Sequence, residues 1–452
     1  MPGYACMPVP SIDNSFDLSA KGNSMEKLKR ISVTVPTLLV LMAASFSVAA
    51  QVVRPESVGL SSERLERIGE LMDRHIEAGS FSGAVTLVAR DGRIAHLEAH
   101  GLMDIEAQTP MRTDAIFRMA SMTKPIAATA VLMLVEEGKI KLDDPVSKFL
   151  PSFANQKVAV IRGGGSGGGF GGPPPEYDTV PAERDVTIVD LLTHTSGVMS
   201  GRISNAESQE LAAQRNDIGV SYVDELGSVP LDFQPGSRWS YSAVGGFDVL
   251  VRVVEVVSGQ SFDRFLKERL FEPLGMHDIF YWPNDEQRER LAKTYVGGPN
   301  GLQPRPNPDS MSSPVYFSGG GGLMSTAEAY ARFAMMLANG GELDGVRILS
   351  PRMVSLMGSP VIREGLPGLT GMHPSRPPGE GFGLGVSVVT DPVARRSLVS
   401  KGSFGWSGFY GTYFWVDPQE NLVALLMVQT YDNDSWFEFE SVVMQALVDV
   451  ND

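Results

Sequence analysis

Phe117-Arg-Met-Ala-Ser121-Met-Thr-Lys124-Pro125 sets a serine three residues before a lysine at the start of an apolar run. That spacing suits a hydrolase whose serine is activated by an amine. A hydroxyl is a weak nucleophile until a neighbouring base takes its proton, and a desolvated lysine can do so. Residues 127–137, closed by Gly138, predict a helix, because Ala, Leu and Met favour one and glycine stops it. Pro125 falls in the first turn, where backbone N–H groups have no intrahelical partner. Residues i and i+3 share a helix face, so the Ser121 hydroxyl and the Lys124 amine are expected side by side. The helix N-terminus adds partial positive charge beside an oxygen that must become anionic. The same short pattern also fits a helix cap followed by a surface lysine. A second Ser-x-x-Lys, Ser24 to Lys27, has no such setting.

Two more groups have residue types suited to the same chemistry. Trp239-Ser-Tyr241-Ser-Ala243 precedes a helix expected over 243–258. A phenol held near an ammonium is pushed toward phenolate and becomes a usable base, although a packed aromatic under a loop reads the same way. Gly405-Trp406-Ser407-Gly408-Phe409 opens a strand region, where glycines admit a substrate to the backbone and an edge N–H can donate to an oxyanion. A tight bend in a sheet is the alternative. Gly164-Gly-Ser166-Gly-Gly168 matches G-x-S-x-G, but it lies in low-complexity sequence with no strand before it or helix after it. Tyr431-Asp-Asn433 follows the last strand and is out of order. No metal site is expected among the six histidines. His194, in Leu-Leu-Thr-His-Thr-Ser-Gly, reads as a helix-end histidine bonding backbone groups.

The elements that must position these groups fall into a pattern. Leu65, Ile68, Leu71, Met72 and Ile76 recur at helical spacing. Strands 84–90 and 93–100 flank Asp91-Gly92, a two-residue hairpin signal. The Gly- and Pro-rich stretch 158–185 reads as a flexible surface loop. Thr187-Ile-Val-Asp190 opens a short helix with a capping box. Further helices are expected at 262–270, 326–339, 351–357 and 437–448, and strands at 382–389, 410–416 and 422–429. Strands at both ends with helices between predict an α+β sandwich. An antiparallel sheet from both chain ends (about 55–115 and 320–452) would be flanked by helices, with an all-helical insert over about 120–315.

The whole chain narrows the function further. Of 452 residues, 43% are apolar and 20% charged, the balance of a globular protein rather than a disordered one. A formal charge of −15 argues against nucleic acid or an anionic membrane as partner, since both need a cationic face. Cys6 is the single cysteine, so no disulfide framework or thiolate site is expected. Met25-Glu-Lys-Leu-Lys-Arg30 is a basic n-region, and 31–50 is an apolar segment ending in small residues. We expect residues 1–50 to be leader and signal peptide, Met25 to be the true start, and the mature hydrolase, 51–452, to be exported to the periplasm or medium without stable membrane insertion. N-terminal sequencing of exported protein would contradict this if the chain began before Gln51.

In order, Phe117–Pro125, Leu191-Leu-Thr-His-Thr-Ser-Gly197, Trp239-Ser-Tyr-Ser242, Gly319-Gly-Gly-Gly-Leu-Met-Ser325 and Gly405–Phe409 resemble the serine β-lactamase and penicillin-binding superfamily. The resemblance spans about 58–448 and is nearest to the class C-like esterases called family VIII carboxylesterases. It implies Ser121 as the acylated nucleophile, Lys124 as its proton partner and Tyr241 as second base. It also implies substrate-binding Trp406, Ser407 and Gly408 in place of Lys-Thr-Gly, and an oxyanion hole from the backbone N–H groups of Ser121 and Phe409. Two departures stand out: the family's Tyr-x-Asn reads Tyr241-Ser-Ala243, and the Lys-Thr-Gly lysine is Trp406. A site without that amide and cation pairs poorly with a β-lactam and suits a neutral ester. The expectation is ester hydrolysis without metal or organic cofactor. Two alternatives stay open. One is amide chemistry on β-lactams or D-amino-acid peptides, with Arg118, Lys401 or a loop residue supplying the cation. The other is a non-catalytic binding protein on the same fold.

Overall fold

Both ends of the chain build one sheet. The computed structural model describes residues 51–163, 173–214, 219–305, 312–313, 315–362, 365–369, 378–430 and 434–448. The leader, the Gly164–Gly168 match and Tyr431–Asn433 lie outside the described residues. Helix α1 (Ser62–Glu77) begins at Ser61, whose hydroxyl accepts the Arg64 N–H, and buries Leu65, Ile68, Leu71 and Met72. Strands β1 (Gly83–Arg90) and β2 (Arg93–Asp104) turn back at Asp91-Gly92, with φ of 53° and 70°, the left-handed pair a two-residue hairpin needs. Strand β3 (Thr109–Pro110) follows. Then come α2 (Thr123–Glu136), α3 (Ile188–Leu192), α4 (Gly245–Ser258) and α5 (Ala327–Ala338). The chain closes with β4 (Glu380–Phe382), β5 (Ser387–Val389), β6 (Phe404–Ser407), β7 (Tyr413–Asp417), β8 (Leu422–Met427) and α6 (Asp434–Met444).

The eight strands lie in the order β4-β5-β6-β7-β8-β1-β2-β3, each pair antiparallel. The ends of the chain meet where β8 pairs with β1, from Val85 opposite Met427 to Arg90 opposite Leu422. Side chains alternate faces along β8. Leu422, Ala424 and Leu426 pack with Leu65, Ile68, Phe439 and Val443 of α1 and α6. Val423, Leu425 and Met427 join a second core with Tyr330 and Phe333 of α5. A strand covered on both faces must be apolar throughout, as Leu422-Val-Ala-Leu-Leu-Met427 is. Each such fully buried side chain contributes roughly 1.5–3 kcal/mol. Together these elements form the α+β architecture expected from the sequence.

In the helical part, α2 is buried from Thr123 to Leu134, so it is apolar all round rather than amphipathic. It packs along α4. Helix α3 opens with the expected capping box: the Asp190 N–H donates to Thr187 Oγ1, and the Thr187 N–H to the Asp190 carboxylate.

Three expectations are corrected. Residues 382–389 are not one strand but a hairpin of β4 and β5, because Gly383-Leu-Gly385 reverses the chain. Gly385 sits at φ 81°, and a Cβ there would come within 2.7 Å of Ala128 Cβ, so the turn is packed against α2. The stretch 158–185 is not wholly loop. Lys157–Ile161 pairs with Tyr177–Pro181, where Val158, Val160 and Val180 favour strand, and the glycine run between them lies outside the described residues. The helix expected over 262–270 is helical as Phe262–Leu266, then widens into a π turn at Lys267–Phe271.

Candidate active site

Ser121 lies in a one-turn 3-10 helix, Ala120–Met122, that runs directly into α2. Ala120, just before it, has φ 44°, a left-handed conformation costing an L residue roughly 1–2 kcal/mol. Neighbours hold that turn in place. The Met119 N–H donates to Leu323 O at 2.9 Å, and Met119 O accepts from the Met122 N–H at 3.0 Å and the Thr412 hydroxyl at 3.4 Å. Strand pairing of Phe117-Arg118 with Met324-Ser325 brings the glycine loop 319–322 alongside.

Lys124 is fully buried one helical turn on. Its Nζ lies 3.2 Å from Ser121 Oγ and donates to Ala243 O at 2.6 Å and Gly320 O at 2.7 Å. Tyr241 comes from 120 residues away and places its hydroxyl 2.7 Å from the same Ser121 Oγ. Its ring stands 4.9 Å from Lys124 Nζ, so an ammonium there would also face the aromatic π-cloud. Ser121 Oγ is therefore the shared partner of an amine and a phenol. As an ammonium, Lys124 spends its three protons on Ser121 and two carbonyls. As an amine, it has a lone pair for the serine proton.

Two residues outside the expected set organise this contact. Gly320 presents the carbonyl that Lys124 uses, and a Cβ there would sit 2.6 Å from Val244 Cα, so no larger residue fits. Asp248, buried on α4, accepts from the Ser318 hydroxyl at 2.7 Å, the Gly320 N–H at 3.1 Å and the Tyr316 hydroxyl. Burial pushes its carboxyl above the usual range, while those hydrogen bonds and the Lys124 charge pull it back. One signal for Asp248 was legible: an acid inside the apolar run Phe247-Asp-Val-Leu-Val251 has to be paired.

The third expected group lines the other side. In β6, Trp406 lies opposite Phe414 and Ser407 opposite Tyr413. A Cβ on Gly408 would fall 2.4 Å from Met119 O, so the strand end runs tight against the segment carrying Ser121. Trp406 is buried, its ring 5.6 Å from that of Tyr241 and 5.3 Å from that of Phe382. Phe409 is 49% exposed, with the Arg305 guanidinium 4.9 Å from its ring centroid. Of the other cations considered, Arg118 is buried and donates to Ala292 O at 3.3 Å, and Lys401 lies in the turn before β6, at the end of that strand away from Ser407. His194 lies buried beneath Tyr241. Among the described residues no group of His, Cys, Asp and Glu is arranged to hold a metal ion, and no helix is long and apolar enough to cross a membrane.

An antiparallel sheet flanked by helices, with a Ser-x-x-Lys at the head of a buried helix, defines the serine hydrolases of β-lactamase architecture. The Beta-lactamase family profile matches residues 68–440, and the chain belongs to that family. Among its relatives, protein Rv1367c of Mycobacterium tuberculosis is 37% identical over 78% of this chain and 87% of its own. Esterase EstB of Burkholderia gladioli is 32% identical over 80% of this chain and 90% of its own. Among solved structures, EstCE1, a hydrolase with promiscuous acyltransferase activity, superimposes with a TM-score of 0.69 at 23% identity, over 86% of this chain and 99% of its own, which shows the shared fold.

Proposed function

We propose that this protein is an exported carboxylesterase that works through an acyl-enzyme on Ser121. The observation that carries the reading is the convergence on Ser121 Oγ of the Tyr241 hydroxyl at 2.7 Å and Lys124 Nζ at 3.2 Å. Ser121 Oγ attacks the ester carbonyl, and its proton passes to Lys124 or Tyr241. The new C–O bond leaves a tetrahedral oxyanion, which the backbone N–H groups of Ser121 and Phe409 would hold. Collapse breaks the bond to the alcohol, which departs with the proton returned by the same pair. Water, deprotonated by that pair, then releases the acid and restores Ser121.

Two features support an ester over an amide. Position 406 holds a tryptophan packed against Tyr241, where the family's lysine would offer a cation. Position 243 is alanine, contributing its carbonyl to Lys124 and no side-chain amide. EstB, a relative at 32% identity, is named an esterase. One observation favours a carboxylate-bearing amide substrate instead: Arg305 is a cation seated on the exposed ring of Phe409, whose backbone N–H is an expected oxyanion donor. Hydrolysis of p-nitrophenyl butyrate and of nitrocefin by the chain from Gln51, each beside Ser121→Ala, separates the readings. The expected result is ester turnover that vanishes in the variant, with nitrocefin slow or untouched. Fast nitrocefin turnover would show that another residue, with Arg305 the first candidate, holds the carboxylate, and activity surviving in Ser121→Ala would remove Ser121 from the mechanism.

A further inference from the structure

His194 is fully buried, and its backbone sits at φ 59°, a conformation few non-glycine residues adopt. Hydrogen bonds on both sides hold it there. Gly385 N–H donates to Leu192 O at 3.0 Å, Thr195 N–H to Asp190 O at 2.9 Å and Gly236 N–H to Thr195 O at 2.8 Å. A strained residue so thoroughly held is one whose position matters. What it holds in turn is the segment bearing Tyr241. The Ser240 N–H donates to His194 O at 3.0 Å, and the Ser242 N–H donates to His194 Nδ1 at 3.2 Å. The residues on either side of Tyr241 are thus both tied to one histidine. The ring itself lies 4.7 Å from the Tyr241 ring. Behind it stand Phe247 and Phe382 at 5.3 Å, Trp239 at 5.6 Å and Trp406 at 6.4 Å, so it has no room to withdraw. Since Nδ1 accepts an N–H, the hydrogen-bond pattern assigns the ring a neutral tautomer with its proton on Nε2.

We propose that His194 is the positioning residue for Tyr241, setting the height and tilt of the phenol over Ser121 through two backbone clamps and one ring contact. It acts on Ser121 through Tyr241. This rests on the reading of Tyr241 as a proton partner of Ser121. A phenol displaced by less than 1 Å from a 2.7 Å hydrogen bond loses alignment with the serine proton, and positioned proton transfer is typically worth 10²–10⁴ in rate.

The test uses kcat and KM for p-nitrophenyl butyrate, together with the rate of Ser121 labelling by a fluorophosphonate, which needs no particular substrate. The variants are His194→Ala, His194→Asn, Tyr241→Phe and the double variant His194→Ala/Tyr241→Phe, each corrected for folded fraction by circular dichroism. His194→Ala is expected to lower kcat and labelling about 10- to 100-fold with KM within about twofold. His194→Asn retains an acceptor near the Nδ1 position and tolerates the left-handed backbone, so it should recover about tenfold of that loss. The double variant should be no slower than Tyr241→Phe alone, because both lesions act on one group. Labelling unchanged in Tyr241→Phe would overturn the role of Tyr241 itself. Slow labelling in Tyr241→Phe with normal labelling in His194→Ala, or multiplicative losses in the double variant, would overturn the role of His194 alone.

Discussion

Ser121 and Lys124 need nothing beyond one helical turn to meet, but their surroundings depend on single residues drawn from distant parts of the chain. Asp248 illustrates this. It gathers the Tyr316 and Ser318 hydroxyls and the Gly320 N–H, and so aims the Gly320 carbonyl at Lys124 Nζ, 2.7 Å away. Asp248→Ala would strand two buried donors, the Ser318 hydroxyl and the Gly320 N–H, each costing about 1–3 kcal/mol when left unmade, and free the half-buried Tyr316 hydroxyl. The expected outcome is a loss of several kcal/mol in urea unfolding, with kcat on the ester reduced in the molecules that remain folded. Stability and kcat both within error of the parent would show that the glycine loop holds itself. Position 406 carries a different lesson. Trp406, an expected substrate contact, has its ring packed among those of Tyr241, His194 and Phe382.

At the scale of elements, one buried ion network ties α6 to the sheet. Arg395, in the short helix Pro392–Arg395, donates to both Glu440 oxygens at 2.6 and 2.8 Å and to Glu380 at 2.7 Å. The Tyr413 hydroxyl also bonds Glu440. These residues span β4, β7 and α6, and the side chains of Arg395 and Glu440 are only 4% and 2% exposed. Removing one partner of a buried pair leaves the other uncompensated, a loss of about 3–5 kcal/mol. Glu440→Ala should therefore shift the urea midpoint strongly, while kcat per folded molecule stays unchanged, because the network lies on the α1–α6 side of the sheet, away from Ser121. A variant as stable as the parent would mean that apolar packing of Phe439 and Val443 already fixes α6. The helices α1 and α5 were legible because apolar residues fill them and the cap residues Ser61 and Thr326 precede them, and α4 by its apolar run alone, since Val244 before it offers no cap. The β4–β5 hairpin was not, since a glycine-punctuated apolar stretch reads alike whether it runs straight or turns back.

For the whole molecule, His96 links stability to pH. It lies buried on β2, with Thr86 Oγ1 2.8 Å from its Nε2 and with Glu98 and His100 as neighbouring titratable groups. Burial, and secondarily the charge of His100, pull its pKa down from 6.5 to about 4. The unfolded chain therefore binds the proton first as pH falls. Stability present above pH 6.5 drains between 6.5 and about 4, by about 3 kcal/mol in all. Between pH 7 and 5 the parent should lose roughly 2 kcal/mol more than His96→Gln in urea unfolding. Parallel losses in the two proteins would show that His96 is not the group responsible.

Much of this protein was determined locally. The Ser121–Lys124 spacing, the Asp91-Gly92 turn, the Thr187–Asp190 cap and the doubly apolar β8 each depend on residues within a few positions of one another, and local spacing is what a sequence displays. The antiparallel sheet from both ends was readable as a class, because strand texture at the two termini leaves few other ways to bury both. Tertiary structure alone decided that Tyr241 reaches Ser121 and that Ala243 and Gly320 turn their carbonyls to Lys124. It also decided that Trp406 faces inward and that His194 stands under the phenol. The hydrogen bonds among those contacts join segments 119 to 196 residues apart, and only packing sets which side chain fills which gap.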